Sequence, residues 1–503
     1  MDGTGRIGLP AAHRIDPRDD VAVALRDLAA GEVVSVGDCA VTLRAPVAKG
    51  HKLALMPVAQ GADVLKYGWP IGRATAPIAP GDHVHTHNVA TKLSDTLAYR
   101  YEPEPAPAPA AATGLPGFLG YRRANGRVGT RNEVWVLCTV GCVGRTAQRI
   151  AQAAAARFAG RVDGVHAFPH PFGCSQLGDD LSNTRRLLAA LAQHPNAGGV
   201  LVLGLGCESN QIDQLLAEAP GLDPARLRSF AAQKAEDELE DGLAAVEELV
   251  RIAEQDRREP CPLSDLVIGL KCGGSDGFSG LTANPLLGQV ADRLTGAGGT
   301  AILTEIPEIF GAEELLMRRA ADEGVFQDIV GVVNGFKRYF LDHGQPVHEN
   351  PSPGNIAGGI TTLEEKSLGA VQKGGRAAVT QVLPYGGRVG RPGLTLLEAP
   401  GNDGVSSTAM AAAGATILLF TTGRGTPLGF PVPTLKLATN ADLAGRKPHW
   451  IDFDASGVLG PGGMEGATGA LLDLIAETAS GKPARNELNG EREIAVWKSG
   501  VTL

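Results

Sequence analysis

The chain has 503 residues, 43% of them hydrophobic and 5% aromatic, with 67 glycines and a net charge of −9. That length exceeds a single core and predicts two or three domains, and the composition excludes a disordered chain. The modest negative charge, with both signs interspersed, excludes a nucleic-acid footprint; any anionic substrate must be held by local arginines and lysines.

The first residues, MDGTGRIGLPAAHRIDPRDD, lack the basic start and apolar stretch of a signal peptide, and no run approaches the roughly 18 apolar residues of a membrane span. Seven cysteines, an odd count spread thinly, predict reduced thiols and a cytoplasmic setting. Residues 1–101 hold short β-rich segments such as EVVSVGD, AVTLRAPVA and HKLALMPVA between Gly/Pro/Asp turns, which predicts a small all-β module. Its GDHVHTHN segment sets His83, His85 and His87 two residues apart, on one face of an extended strand. Such imidazoles suit metal ligation or proton transfer, or simply line a polar surface. Residues 102–116, EPEPAPAPAAATGLP, form a Pro/Ala linker with no capacity for a core. From residue 117 strands alternate with helices: VWVLCTV, VDGVHAF, GVLVLGLGC, LVIGLKC and TAILTEI each precede a helical pattern. The fold class is therefore α/β with mostly parallel sheets, divided into a catalytic domain over 117–393 and a C-terminal α/β domain over 394–503. No internal repeat is evident.

Four cysteines sit directly beside glycine, Cys142, Cys174, Cys207 and Cys272, and three of them end or leave a short apolar run. Glycine permits the sharp turn that a thiolate approaching a metal or substrate requires, and strand ends are where α/β folds build sites. Three or four thiolates suit iron, as a mononuclear ion or an iron–sulfur cluster, although no CxxC pair occurs among them. Cys138 is expected mid-strand and structural; Cys39 and Cys261 have no supporting context. Gly-rich loops at 127–132, 272–280, 350–359 and 421–427 offer backbone amides to an anion, and Arg131 and Arg424 within two of them suit a carboxylate. None matches a nucleotide-binding motif. Lys366 and Lys436 are candidate bases, and Glu305, Glu308, Asp276 and Asp403 are carboxylates beside loops.

The runs GYRRANGRVGTRNEVWVL, FGCSQLGDD, LGLGCESNQ, CGGSDGFSGLTANP, NPSPGNIAGGITTLEEKSLG, TTGRGTP and the terminal KSGVTL resemble the altronate/galactarate dehydratase family, over a span from about residue 20 to Leu503. The first hundred residues, with GHK around His51, resemble that family's β-clip module, related to antifreeze-type domains. The resemblance implies a cytoplasmic hydro-lyase that converts D-altronate to 2-dehydro-3-deoxy-D-gluconate and water and requires ferrous iron. Galactarate, a diacid, is the alternative substrate; family members acting on it share the cysteines and loops but lack the His-rich strand. On this reading Cys142, Cys174, Cys207 and Cys272 hold iron, and Lys366, Arg131, Arg424 and His85 serve the reaction. Arg131, Arg424, Asn132, Ser275, Asp276, Asn355, His51, His83 and His87 make the substrate contacts. Phe172 stands where the family pattern more usually has tyrosine. A homodimer acting on a small sugar acid, without nucleic acid or membrane, is expected. An iron–sulfur electron carrier or a sugar-acid binding protein are the remaining classes.

Overall fold

The structure, a computed structural model, describes residues 10–104 and 114–503; residues 105–113 of the expected linker lie outside the described residues. The N-terminal module is all β. Ala12–His13, Val21–Ala24, Lys52–Ala54 and His83–Val84 form one antiparallel sheet, with hairpins Val33–Val36/Cys39–Thr42 and Asp63–Lys66/Trp69–Ala74 beside it. A repeat does exist here, contrary to the sequence reading. Leu28-Ala-Ala-Gly31, Val47-Ala-Lys-Gly50, Val58-Ala-Gln-Gly61 and Ile78-Ala-Pro-Gly81 are four copies of one turn. In each, the residue after glycine donates its N–H to the alanine carbonyl, and the glycine has φ between 80° and 86°. Positive φ at the third position of a four-residue turn demands glycine.

The second unit, which follows a short antiparallel sheet containing Gly117–Arg122, is a four-stranded parallel sheet in the order Gly164–Phe168, Glu133–Cys138, Ala197–Gly204, Leu227–Ala231. Alternate side chains of its central strand serve opposite faces. Val134 and Val136 pack with Ile150 and Leu249 of helices Gly144–Arg157 and Glu238–Ala253. Trp135 and Leu137 pack with Leu187 and Leu215 of helices Gly178–Ala192 and Ile212–Ala217.

The third unit is a seven-stranded parallel sheet in the order Val379–Leu383, Gly393–Leu397, Thr300–Leu303, Val267–Cys272, Ile417–Thr422, Thr434–Ala438, Phe453–Asp454. The boundary expected at 393/394 therefore cuts through one sheet. Gly393–Leu397 pairs with strands on both sides of it, so the division in the α/β region lies between the two sheets, not within the second. The helical pattern expected after TAILTEI, across AEELLMRRAADEG, is two helices, Glu313–Met317 and Glu323–Asp342; Asp322 caps the second by accepting from the Val325 N–H.

The β-module is bolted to the large sheet through one carboxylate. Glu365, on the wholly buried helix Leu363–Val371, accepts from Lys52 Nζ at 2.9 Å and Lys66 Nζ at 2.8 Å, and all three side chains are buried. Lys52 also donates to the Gly359 carbonyl at 2.7 Å. Burial alone would raise the Glu365 pKa, but the two ammoniums outweigh it and hold the carboxyl far below its usual range. A carboxyl depressed on folding stabilises above its unfolded pKa of about 4.3 and loses that contribution as pH falls. Two outcomes are expected. Glu365→Gln strands two buried ammoniums and costs about 3–5 kcal/mol in thermal or denaturant unfolding. The wild-type chain also loses stability from about pH 5 to about pH 3 more steeply than the variant.

Candidate active site

Val267–Cys272 lies at the switch point of the large sheet: the chain first builds strands on one side of it, then crosses to the other at Ile417–Thr422. Open parallel sheets bind ligands beyond the carboxyl ends of strands at such a point. A cavity of about 530 Å³ opens there, lined by Gly273, Asn350, Asn355, Lys366 and the Asn402–Gly404 segment among others. Asn402 caps helix Asp403–Ala413 by accepting from the Val405 N–H, so the positive end of that helix faces the cavity.

Beneath the cavity is a buried cluster of alternating charge. Lys271 contacts Glu305 and lies 2.7 Å from Asp403; Lys373 lies 3.2 Å from Glu305 and 2.8 Å from Cys272 Sγ; Lys366 lies 2.9 Å from Glu308 and 3.2 Å from Asn350 Oδ1. Three ammoniums thus face three carboxylates, and a thiolate would be surplus. Burial pushes the Cys272 thiol up to about 12, Glu305 adds to that, and Lys373 opposes it. Burial resists charging Lys366, yet Glu308 outweighs it and the ammonium is held above its ordinary range. Glu305 is projected into the cluster from a backbone φ of 67°, a left-handed conformation that costs a non-glycine residue about 1–3 kcal/mol.

The β-module supplies a group of imidazoles on the far side of the 352–359 loop. The rings of His51 and His85 stack at 5.0 Å, His83 lies 5.2 Å from His51 and 5.4 Å from His85, and His87 lies 5.5 Å from His83. His51 Nδ1 and His83 Nε2 are 3.1 Å apart, and His85 Nε2 is 3.1 Å from the Ile356 carbonyl oxygen. Burial, then repulsion from the neighbouring rings, pushes His83 down to about 4; burial lowers His51 and His85 as well. The rings of His51, His83 and His85 are thereby held uncharged at neutral pH.

The structure gathers some expected site residues and separates others. Lys366, Asn355 and Arg424 lie at the cavity or its rim, Arg424 donating to the Gly354 carbonyl at 2.6 Å. Ser275 and Asp276 do not line it: the Ser275 carbonyl supports Asn355, which does, by accepting from its Nδ2 at 2.8 Å, and Asp276 accepts from Thr439 and Asn440. Arg131 is elsewhere. It pairs bidentately with the half-buried Glu487 at 2.7 and 2.8 Å and donates to the Thr478 and Lys482 carbonyls, pinning the C-terminal segment to the second unit. Its neighbour Asn132 bonds the Ala253 carbonyl. Lys436 is tied to Glu491 and the Pro427 carbonyl. The four cysteines do not form one centre: Cys272 is buried in the large unit, whereas Cys142, Cys174 and Cys207 are exposed on loops of the smaller sheet. Cys138 is buried, but it is the last residue of its strand and not in its middle as the sequence suggested. Lys271 and Lys373 escaped sequence reasoning; a lysine inside the apolar run LVIGLKC was a signal for the first, and nothing local marked the second.

Residues 10–92 match the family described as Altronate/galactarate dehydratase SAF domain, 120–254 the D-galactarate dehydratase/Altronate hydrolase second domain, and 263–502 the D-galactarate/Altronate dehydratase C-terminal region. The chain belongs to the altronate/galactarate dehydratase family. It is 52% identical to the altronate dehydratase of Escherichia coli (strain K12) over 97% of this chain and 99% of the relative. It is 48% identical to that of Bacillus subtilis (strain 168) over 97% and 99%. Identity to the galactarate dehydratase (L-threo-forming) of Escherichia coli (strain K12) is 33%, over 93% and 92%. The family boundaries follow the units seen here, with the break between sheets at 254–263. Among the described residues no helix is long and apolar enough to cross a membrane.

Two substitutions separate a reacting group from a structural one. Lys366→Ala is expected to lower kcat of the folded enzyme about 10²–10⁴-fold, and also to cost stability because it leaves the buried Glu308 carboxylate unpaired. Arg131→Met is expected to cost about 3–5 kcal/mol of stability while the folded enzyme keeps its kcat.

Proposed function

We propose that the chain dehydrates D-altronate to 2-dehydro-3-deoxy-D-gluconate. The observation that carries the choice over galactarate is the count of unbalanced cations at the cavity. Lys271, Lys366 and Lys373 are each matched by a carboxylate, and Arg424 alone has no ion-pair partner among the described residues. One free guanidinium suits one carboxylate; the second carboxylate of galactarate would find none. The higher identity to relatives named altronate dehydratase supports the same choice.

The reaction removes the C2 proton and the C3 hydroxyl, leaving an enol that ketonises to the 2-keto acid. Arg424 and the first turn of helix Asp403–Ala413 orient the carboxylate at the cavity mouth. Lys366, kept protonated by Glu308, is the acid that delivers a proton to the departing hydroxyl, and Glu308 is placed to take the C2 proton. Asn350 holds the Lys366 ammonium from its other side.

Iron is part of the proposal. Cys272, Glu305 and Glu308 are the group of three donors whose ligand atoms lie within 4.8 Å of one another among the described residues. Their charge is already neutralised by lysines, so they suit a divalent ion poorly. Neutral imidazole is the better ligand type, and His51, His83 and His85 are the group that offers it, although their ligand atoms do not all lie within 4.8 Å of one another and would have to draw together around an ion. Ferrous iron held there would supply Lewis-acid chemistry to an oxygen brought to the imidazoles, typically worth several kcal/mol. A cytoplasmic homodimer completes the reading.

Anaerobic turnover with D-altronate and with galactarate, with and without ferrous iron, tests this. Iron-dependent 2-keto acid from altronate alone is expected. Equal product from galactarate would overturn the cation count, and iron-independent turnover would overturn the metal assignment.

A further inference from the structure

Three exposed cysteines take no part in the cavity chemistry, yet the smaller sheet invests heavily in placing them. Cys174, Cys142 and Cys207 follow the carboxyl ends of three adjacent parallel strands, Gly164–Phe168, Glu133–Cys138 and Ala197–Gly204. In that register Leu137 lies beside both Phe168 and Val202, so the three loops leave the sheet at one level about 4.8 Å apart.

Buried polar groups then lace the loops together. The Gly141 N–H donates to the Phe172 carbonyl at 2.8 Å, and the Asn210 N–H to the Gly173 carbonyl at 2.9 Å. Asn210 Nδ2 reaches the Thr139 carbonyl at 3.0 Å, and the Glu208 carboxylate takes Thr139 Oγ1 at 2.5 Å and the Gly206 N–H at 2.6 Å. His170 Nε2 bonds the Cys138 carbonyl oxygen at 2.9 Å. Thr139 and Asn210 are fully buried. Gly173 (φ 97°) approaches so closely that a Cβ there would lie 2.0 Å from the Thr139 carbonyl oxygen. Hydrogen-bonded to one another in this way, the buried polar groups hold the three loops in one specific arrangement. What it presents to solvent is three thiols.

We propose that Cys142, Cys174 and Cys207 hold a [4Fe–4S] cluster in which the fourth iron has no protein ligand. The chemistry of the alternatives decides this. The three cysteines are unpaired, so the loops are not closed by disulfides. Their sulfurs do not all lie within 4.8 Å of one another. Thiolates on a single tetrahedral ion, with metal–sulfur bonds of about 2.3 Å, sit about 3.8 Å apart. A cuboidal cluster, wider than a single ion, takes thiolates from more separated positions and is itself ligated by cysteine. Gln233 Nε2, 3.5 Å from Cys207 Sγ, and Ser175 Oγ, 3.9 Å from Cys174 Sγ, supply the hydrogen bonds to sulfur that tune such a centre. The ferrous iron assigned to the imidazoles is a separate site, and the cluster does not depend on it.

The test is iron and acid-labile sulfide content, with absorption and electron paramagnetic resonance spectra, on full-length protein purified or reconstituted with iron and sulfide without oxygen. About four irons and four sulfides per chain are expected in the cluster. Cys142→Ser, Cys174→Ser and Cys207→Ser should each lose most of the sulfide and the spectrum while keeping the wild-type melting profile, and Cys39→Ser should keep both. His83→Ala should leave the sulfide unchanged, which separates this site from the imidazoles. Iron without labile sulfide, stoichiometric zinc instead, no cluster after reconstitution, or sulfide unaffected by the three serine variants would each overturn the proposal.

Discussion

Three consecutive residues on one buried helical turn join the parts of this molecule. Glu364 takes Thr91 Oγ1 and the Lys92 N–H, where the chain leaves the β-module; Glu365 takes Lys52 and Lys66 from inside it; Lys366 turns to Glu308 and the cavity. Successive helical positions point about 100° apart, so one turn reaches three directions. The position of the imidazoles relative to the cavity is thereby set by the same backbone that sets the Lys366 ammonium. The module also adds Val58, Val64, Ile71 and Val84 to the apolar core of the large sheet, so it is not a tethered accessory.

Neutrality beneath the cavity governs what each group there can do. Removing water completely from one lysine or one glutamate would leave an unbalanced charge, and such a group loses its charge instead. Matched as they are, Lys271, Lys366 and Lys373 are held protonated and Glu305 is held ionised. The same balance keeps Cys272 a thiol despite an ammonium at 2.8 Å. Among the four glycine-flanked cysteines it is the one with carboxylates at its sulfur, within 3.6 Å for Glu305 and 3.5 Å for Glu308.

Periodicity and turn chemistry made the architecture readable. The strand-to-helix alternation from residue 117, the separate β-module and the strand-end placement of all four cysteines follow from apolar runs that stop at glycine. Pairing was not readable. Whether Gly393–Leu397 starts a new sheet or enters an existing one depends on contacts nearly a hundred residues away, and the sequence between carries no mark of it. The fourfold turn escaped because only two of its four residues are fixed in type, Ala and Gly, and its copies start 19, 11 and 20 residues apart. Glycine beside cysteine also reports a turn without reporting which site the turn serves, so Cys272 and the other three looked alike. Arg131 misled for a related reason. A Gly-rich loop with an arginine presents the same sequence whether the guanidinium meets a substrate carboxylate or, as here, that of Glu487.

Both parallel sheets use the ends of their strands, but with opposite treatments of charge. In the large sheet the ends converge on a buried, neutralised cluster under a cavity; in the smaller one they present three cysteine sulfurs to solvent over a buried polar lacing. The two regions are mechanically linked. Phe172, two residues before Cys174, shares an apolar cluster with Leu428 at the cavity wall. The C-terminal tail runs across both: Ala495 N–H to Thr408 Oγ1 on the helix that opens at the cavity, Ser499 N–H to Asp180 Oδ1, and Leu503 N–H to the Ser175 carbonyl. The last residues of the chain therefore brace the Cys174 loop from outside while the Asn210 and Thr139 bonds brace it from within. A loop held from both sides gives up conformational freedom that an ordinary surface turn would keep, and the hydrogen bonds on its two sides offset that loss and fix the position of the thiol.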